Sequence, residues 1–328
     1  MPTGEQTCCS RRLFLKYVCA AAMSATALYG LIGCSKHEPL LRIASNVWPG
    51  YELLYLAREK NFFTRDEVKL IEVPSATVCI QSLAAGNVEG AMLTLDEVLT
   101  ARAEGLELKV VAILDISNGA DVVLAHPSIK SIAELKGKRI GVEQSAVGAV
   151  MLDALLEKDG LTVNDVETVY LTVNQHHQAY LDGIVDALVT FEPVRTQLIK
   201  SGAHQLFDSS EIPGRIIDVL AVLPHVLKNN PASLRKLIDA HFKARSYFLS
   251  NTRQASEILA KRLQLNPSEV PSSYEGLLLP DLKSNHEWLD GENSKLQQSA
   301  VKLKNIMQRA RLLKKNVSVS ELVDSRFL

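Results

Sequence analysis

The feature of this sequence that most restricts its fold is an order of elements that occurs twice at a nearly constant spacing. Arg42-Ile43 recurs as Arg139-Ile140, and residues 86–89 (GNVE) recur as residues 183–186 (GIVD), in both cases 97 residues further along the chain. Around each copy, short apolar runs alternate with segments of helical period, which is typical of a parallel α/β sheet. The spacing predicts two similarly built α/β lobes whose strand ends face each other across a cleft, with coincidence as the alternative because few residues are identical.

An aromatic turn follows the first predicted strand. Residues 41–44 are apolar, residues 45–51 (SNVWPGY) are polar and aromatic, and a segment of helical period comes next. This order predicts strand, loop and helix. In parallel α/β sheets, ligands bind beyond the carboxyl ends of the strands, so Trp48 and Tyr51 are candidate ligand-binding residues. Core packing of both rings under the loop is the alternative.

The other candidate ligand-binding residues stand near the ends of further predicted strands. Ser75 and Thr77 begin a predicted helix, whose free backbone N–H groups favour a ligand with an acceptor group, although Ser75 is also explained as an N-cap. In the second copy, Gln144 and Ser145 occupy the loop that corresponds to the aromatic turn. The remaining candidates follow other strands or lie in the next helix: Asp96, Asn118, His176 and Glu192.

Acidic residues predominate in the loops that are expected to line the cleft. Nitrate or an alkyl sulfonate would require Arg or Lys together with helix N-termini. Arg195 is the only cation near these loops, which favours a neutral or cationic organic solute that stacks on aromatic rings, such as a pyrimidine or an amine. Each acid is equally explained as a helix cap or a solvated loop charge. The acids in question are Asp96, Asp115, Asp121, Glu143 and Glu192.

No metal, cofactor or catalytic group is expected. Adjacent His176 and His177 would point their rings apart on a helix or strand, so one of them is expected to line the cleft without forming a metal site. Of the five cysteines, only Cys79 lies beyond residue 34, which excludes a disulfide framework; a small buried residue explains it more simply than a nucleophile does. With a net charge of −1 and no long basic run in the body, nucleic-acid binding is excluded.

The first 34 residues are expected to be a targeting segment. Residues 10–16 (SRRLFLK) match the twin-arginine export pattern, a weakly hydrophobic stretch over 17–32 follows, and residues 31–34 (LIGC) resemble a lipoprotein cleavage site. A membrane-spanning anchor is the alternative, but the stretch is shorter than the ~20 residues that a spanning helix needs. The sequence therefore predicts a lipoprotein that is lipidated at Cys34, lies in the periplasm or at the cell surface, and has a brief tether over 35–39.

Taken together, these features resemble the ABC-transporter solute-binding proteins of the nitrate, sulfonate and taurine type, including relatives that carry pyrimidine precursors of thiamine. The segments that carry the resemblance are distributed along the whole body of the chain. They are residues 48–51 (WPGY) with Ala57 and Phe62-Phe63, residues 83–89 (LAAGNVE), residues 132–142 (IAELKGKRIGV) and residues 181–187 (LDGIVDA).

The resemblance implies a two-lobed, type II periplasmic-binding-protein-like fold of the α/β class, with mixed, mostly parallel sheets and flanking helices. Lobe 1 would comprise residues 35–125 together with the C-terminal helices of 224–328, and lobe 2 residues 126–223, with hinges near 121–127 and 216–223. The resemblance also implies a monomer that binds one small-molecule solute and passes it to an ABC permease in the membrane.

Two other functions fit the sequence. A sensory lipoprotein would bind a solute and report to a membrane receptor instead of a permease. An enzyme on the same fold is the other, because the fungal thiamine-pyrimidine synthases resemble this group. Against an enzyme, the export leader does not suit a cytosolic synthase, and the sequence contains no Ser/His/Asp grouping or Gly-rich phosphate loop.

Overall fold

The computed structural model describes residues 38–143, 146–313 and 315–328, together with Met1. The predicted twin-arginine pattern, Cys34, Gln144 and Ser145 lie outside the described residues. Within that described part of the chain, none of the helices combines the length and apolar character that a membrane crossing requires. Every element below belongs to the unit Glu38–Leu328.

The first sheet is mixed and has the strand order β11-β4-β10-β3-β1-β2. β1 pairs in parallel with β2 and β3, whereas β10 runs antiparallel to both β3 and β4. Its central strands are buried along their length, and accordingly their sequences are nearly continuous apolar runs. The strands are β1 (Leu41–Ser45), β2 (Val68–Glu72), β3 (Gly90–Thr94), β4 (Lys109–Ser117), β10 (Ile217–Val222) and β11 (Leu277–Leu278).

The second sheet has the order β7-β6-β8-β5-β9. Here β6 pairs in parallel with β7 and β8, and β5 is antiparallel to β8 and β9. The strands are β5 (Val122–Ala125), β6 (Arg139–Val142), β7 (Glu167–Tyr170), β8 (Ala187–Thr190) and β9 (His204–Asp208).

Helices flank both sheets. Helix α8 (Pro231–Ser250) begins with Pro231 in its first turn, where the missing N–H of proline costs no hydrogen bond. The backbone N–H groups of Ala232 and Ser233 in the same turn donate to the Glu38 carboxylate at 2.8 Å. The helices are α1 (Glu52–Glu59), α2 (Ala76–Ala84), α3 (Leu95–Ala103), α4 (Ala146–Glu157), α5 (Val173–Leu181), α6 (Val194–Lys200), α7 (Val226–Asn229), α8 (Pro231–Ser250), α9 (Thr252–Leu263), α10 (Leu282–Leu289) and α11 (Lys295–Arg309).

The C-terminal helices pack on elements of the first sheet. α8 and α9 contact α1, and α11 contacts α3. The buried residues of α11 recur at helical spacing, at Leu296, Ala300, Leu303 and Met307, so one stripe of the helix faces the core. The assignment of these helices to lobe 1 stays a prediction.

The predicted internal repeat is confirmed by pairing and by hydrogen bonds. Ile43 aligns with Gly90 in the first sheet, and Ile140 aligns with Ala187 in the second, at the same offset. The backbone N–H of Arg42 donates to Glu89 Oε2 at 2.8 Å, and its guanidinium pairs with the same carboxylate. The backbone N–H of Arg139 donates to Asp186 Oδ2 at 2.9 Å, and its guanidinium pairs with Asp186 at 2.8 Å.

The segments expected to contain the hinges, 121–127 and 216–223, are mostly strand. Residues 122–125 form β5 between β8 and β9, and residues 217–222 form β10 in the middle of the first sheet. Apart from Asp218 both strands are apolar, and every residue in them is buried. The chain passes between the sheets at 118–121 and 209–216. The division into lobes remains a prediction. The sheet to which each strand belongs favours lobe boundaries at 118–121 and 209–216 over the predicted boundaries after residues 125 and 223.

Candidate functional site

A pocket lies between the two sheets, where the parallel strands of each end. Its walls come from the segments that follow β1, β3, β6 and β8, from the N-terminal turns of α2 and α4, and from β10. Residues that line it are Asn46, Trp48, Tyr51, Ala76, Thr94, Glu97, Asp121, Glu143, Val147, Phe191 and Asp218.

Aromatic rings form one part of the wall, and acids hold two of them in place. Trp48 meets Phe191 edge to face, with ring centroids 5.0 Å apart. The Trp48 indole Nε1–H donates to Asp115 Oδ2 at 3.1 Å, and the Tyr51 hydroxyl donates to Asp218 Oδ1 at 2.5 Å. Two rings from the turn after β1 and one ring from beyond β8 therefore enclose the same space.

The turn approaches Asp115 so closely that only glycine fits at position 50. A Cβ built on Gly50 would lie 1.7 Å from Asp115 Oδ2 and 2.4 Å from Asp115 Cγ. The absence of a side chain at Gly50 thus permits the carboxylate to reach the Trp48 indole.

Buried carboxyl groups form another part of the wall. Glu97, Asp121, Glu143 and Asp218 line the pocket, and each is at most 5% exposed. Asp115 lies directly opposite Asp218 in the β4–β10 pairing, behind the pocket. No lysine or arginine is present among the described lining residues.

Burial raises the pKa of these carboxyl groups. It raises the pKa of Asp121 and of Glu143 to about 7. For Glu97 and Asp218, burial raises the pKa well above the ordinary range, and the neighbouring carboxyls of Asp96 and Asp115 add to this effect. Several negative charges this close together in a buried site repel one another, so the cluster holds protons near neutral pH.

Three of the acids have one oxygen with a protein donor and one without. Asp121 is hydrogen-bonded to Ser117, and Asp218 accepts from Tyr51. The second oxygens, Asp121 Oδ2, Asp218 Oδ2 and Glu143 Oε1, are buried and have no hydrogen-bond partner. Buried acceptors are normally satisfied, so these atoms are available to a donor from a ligand.

Glu143 reaches the N-terminus of α2. Burial dominates the pKa of its carboxyl group, while hydrogen bonds from the backbone of Thr77 and Ala76 and from the Ser75 hydroxyl act in the opposite direction. The Ser75 hydroxyl also accepts from the backbone N–H of Val78 at 3.4 Å. The helix N-terminus that was predicted to hold an acceptor group of the ligand therefore holds a carboxylate of the protein itself.

Of the predicted site residues, Trp48 and Tyr51 line the pocket. Ser75 is the buried N-cap of α2, and half-buried Thr77 lies in the first turn; neither reaches the pocket wall. Asp96 is buried in the first turn of α3, but the next residue, Glu97, lines the pocket instead.

Three further candidates lie away from the pocket. Asn118 is exposed, and its backbone N–H donates to the Gly276 carbonyl at 2.7 Å. Glu192 accepts from the Thr196 backbone and hydroxyl at 3.1 and 2.9 Å, so it caps α6. His176 is buried behind β8, where burial lowers its pKa to about 4.

Several lining residues were absent from the sequence prediction. Asp218 is the most informative, because it is an acid in the middle of an otherwise apolar strand (IDVLAV), which is a signal of a special environment. Glu97 stands at the third helical position of a capping box with Thr94, and this capping role alone explains a glutamate there, so no sequence signal marked it as a pocket residue. Phe191 and Asn46 carry no sequence signal beyond their position at strand ends.

Comparison with known proteins gives a family and two kinds of relative. Residues 48–255 match the family model described as NMT1/THI5 like. A protein of Escherichia coli (strain K12), provisionally named an aliphatic sulfonates-binding protein, is 25% identical in a match that covers 65% of this chain and 67% of that protein. The 4-amino-5-hydroxymethyl-2-methylpyrimidine phosphate synthase THI13 of Saccharomyces cerevisiae is also 25% identical, over 65% of this chain and 68% of that protein.

Among solved structures, the alkanesulfonate-binding protein SsuA from Xanthomonas axonopodis pv. citri, bound to MOPS, is similar to this chain. The TM-score is 0.76 at 20% identity, and the match covers 88% of this chain and 99% of that chain. This likeness confirms the expected α/β fold with two mixed sheets and flanking helices.

Proposed function

The chain belongs to the NMT1/THI5-like family, and on that premise we propose that it captures a small organic solute in the pocket between its sheets and delivers it to an ABC importer. The proposal rests on one observation: residues from both sheets surround a single pocket at the carboxyl ends of their parallel strands. In this arrangement two walls can close on a solute.

The proposed role is binding without catalysis. Cys79, the one cysteine in the body, is buried in the core, and burial raises the pKa of its thiol, which does not suit a nucleophile. The similarity to the yeast synthase is the observation that favours an enzyme on this fold as the alternative. A sensory role, in which a receptor replaces the permease, would use the same pocket.

We place the protein in the periplasm or at the cell surface as a monomer, anchored through a lipid on Cys34 after removal of the twin-arginine leader. Support for this placement comes from the motifs at residues 10–16 and 31–34 and from the family. Glu38 is already in contact with α8, so the tether between Cys34 and the fold is shorter than the expected residues 35–39.

Solute binding can be tested with the two tryptophans of the chain. Trp48 lines the pocket, whereas Trp288 lies on α10 outside it, which makes Trp288 a matched control. In a screen of small organic solutes, including alkyl sulfonates, nitrate, pyrimidines and amines, a bound solute should raise the melting temperature and change the intrinsic fluorescence. Trp48→Phe should abolish the fluorescence change and Trp288→Phe should keep it. Loss of the change in Trp288→Phe, or a screen without any stabilising solute, would contradict the proposal.

A further inference from the structure

We propose that the solute is an organic cation, a protonated or quaternary amine whose charged group binds among Glu97, Asp121, Glu143 and Asp218. This inference rests on the proposed solute-binding function and names the class of solute that the same pocket takes.

The charge of the wall is the first argument. Four carboxyl groups line the pocket, each nearly fully buried, and the described lining contributes no cation to balance them. A nitrate or sulfonate group would find no side-chain counter-ion in this lining, and any deprotonated carboxyl group there would repel it. An ammonium group instead supplies the charge that the wall lacks.

The unpaired oxygens are the second argument. Asp121 Oδ2, Asp218 Oδ2 and Glu143 Oε1 are buried acceptors without a donor, while the opposite oxygens of Asp121 and Asp218 are bonded to Ser117 and Tyr51. These hydrogen bonds hold the carboxyl groups of Asp121 and Asp218 in place, and both residues line the pocket. A primary ammonium has three N–H donors and no acceptor, which suits these three unpaired acceptor atoms.

Glu143 supplies the third argument. Its carboxyl group accepts from the N-terminal backbone of α2, so an anionic ligand could use these N–H donors only in its place. An anionic solute would have to displace this carboxylate into a buried, acidic environment. A cation leaves Glu143 where it is and uses its free oxygen.

The aromatic residues favour an organic cation over a metal ion. Trp48, Tyr51 and Phe191 offer apolar ring surface beside the acids, which suits the carbon atoms of an amine and allows cation–π contacts. Among the described residues, no three His, Cys, Asp or Glu side chains converge so that they could hold a metal ion.

Binding of a cation should expel protons from the cluster. Burial keeps the pKa of Asp121 and Glu143 near 7, so both groups are partly protonated at neutral pH, and a cation favours their charged forms. The affinity should therefore rise from about pH 5.5 to about pH 8. The titratable groups that face the cluster from the surrounding elements are Tyr51, Cys79, Asp96, Glu97, Asp115 and Asp218.

The test is isothermal titration calorimetry on the mature protein with choline, benzylamine and 1,5-diaminopentane as cationic probes. Benzyl alcohol and benzenesulfonate are matched neutral and anionic probes, and 4-aminopyrimidine represents a pyrimidine. We expect at least one cation to bind about tenfold or more tightly than the neutral and anionic probes. Titrations in two buffers of different ionisation enthalpy should show release of protons on binding.

Asp121→Asn and Glu143→Gln should each weaken binding of the cation about tenfold or more without lowering the melting temperature, because each replaces a buried acid by a neutral group of the same shape. Asp153→Asn is the matched control: burial also raises the pKa of Asp153, but this residue lies on α4 outside the pocket, so the affinity should not change.

Binding of benzenesulfonate, benzyl alcohol or 4-aminopyrimidine in preference to every cation would overturn the assignment of charge and leave solute capture intact. Cation binding without proton release, or unaffected by both pocket variants, would also overturn it. If no probe and no solute of the wider screen binds, the proposed function itself fails.

Discussion

At the scale of single residues, Gly50 determines whether the aromatic wall can form. A methyl group at this position would overlap the Asp115 carboxylate, which accepts from the Trp48 indole. Gly50→Ala should therefore displace Asp115, release Trp48 and destabilise the protein by roughly 1–3 kcal/mol, the usual cost of overpacking. Urea unfolding measures the change. In an Asp115→Ala background the obstructing carboxylate is absent, so Gly50→Ala should cost less there; an equal cost in both backgrounds would show that the close approach is not the cause.

The residue scale is also where prediction from sequence was least complete. Trp48 and Tyr51 could be predicted because an aromatic turn directly after a strand is itself a local pattern. The acid cluster could be predicted only in part: Asp121 and Glu143 stand in loops that were expected to line a cleft, but the position of Asp218 depends on β10 returning to the centre of the first sheet. The position of β10 in the sheet depends on packing between segments that are far apart in sequence, and a local sequence pattern does not show such packing.

At the scale of elements, the internal repeat places the same ion pair at the start of β1 and of β6. In each copy, an acid beyond the second α-helix that follows the strand accepts from both the backbone and the guanidinium of the arginine. Glu89→Ala and Asp186→Ala should each destabilise the protein by roughly 1 kcal/mol, since the pairs are partly exposed, and neither should change solute affinity. Glu59→Ala, which breaks an exposed pair between neighbours on α1, is the control and should cost less. Urea unfolding in which both repeat variants cost no more than this control would contradict a stabilising role.

Most elements could be predicted because their patterns are local. The helical pattern of residues 252–263 predicts α9 with its observed bounds, and the helical pattern of residues 231–249 predicts α8 to within one residue. The hinges implied near 121–127 and 216–223 stay a prediction; β5 and β10 fill most of these segments, and their pairing partners are far away in sequence. In α10, buried Asn285 bonds to the backbone of β4, a long-range contact that no local pattern shows.

At the scale of the whole molecule, the acid cluster should make stability depend on pH. Burial raises the folded-state pKa of Asp121 to about 7, whereas the unfolded chain would titrate near 4. The folded state binds more protons between these values, so the contribution of Asp121 is fully present below about pH 4 and is lost as the pH rises through about 7.

Buried His176 has the opposite effect, because its pKa is lowered to about 4 in the fold: its contribution is present above about pH 6.5 and lost as the pH falls. The His176 contribution is the same in the wild type and in Asp121→Asn, so it cancels when the two melting temperatures are subtracted. From about pH 5 to about pH 8, the melting temperature of ligand-free Asp121→Asn should rise relative to that of the wild type. Saturation with a bound cation should reduce this relative rise. A difference that is constant over this range would show that Asp121 does not titrate there.

In the proposed lipoprotein, the contact between Glu38 and the first turn of α8 would limit the distance between the body and the lipid on Cys34. Residues 35–37 alone separate Cys34 from a residue that is fixed on the fold, and four extended steps of chain span at most about 14 Å. If Cys34 carries a lipid, the protein diffuses within a thin layer above the membrane, and its search for a permease becomes two-dimensional. Encounters then depend on the surface density of both partners rather than on their concentration in the surrounding volume. So short a tether would also restrict which face of the body can contact the bilayer.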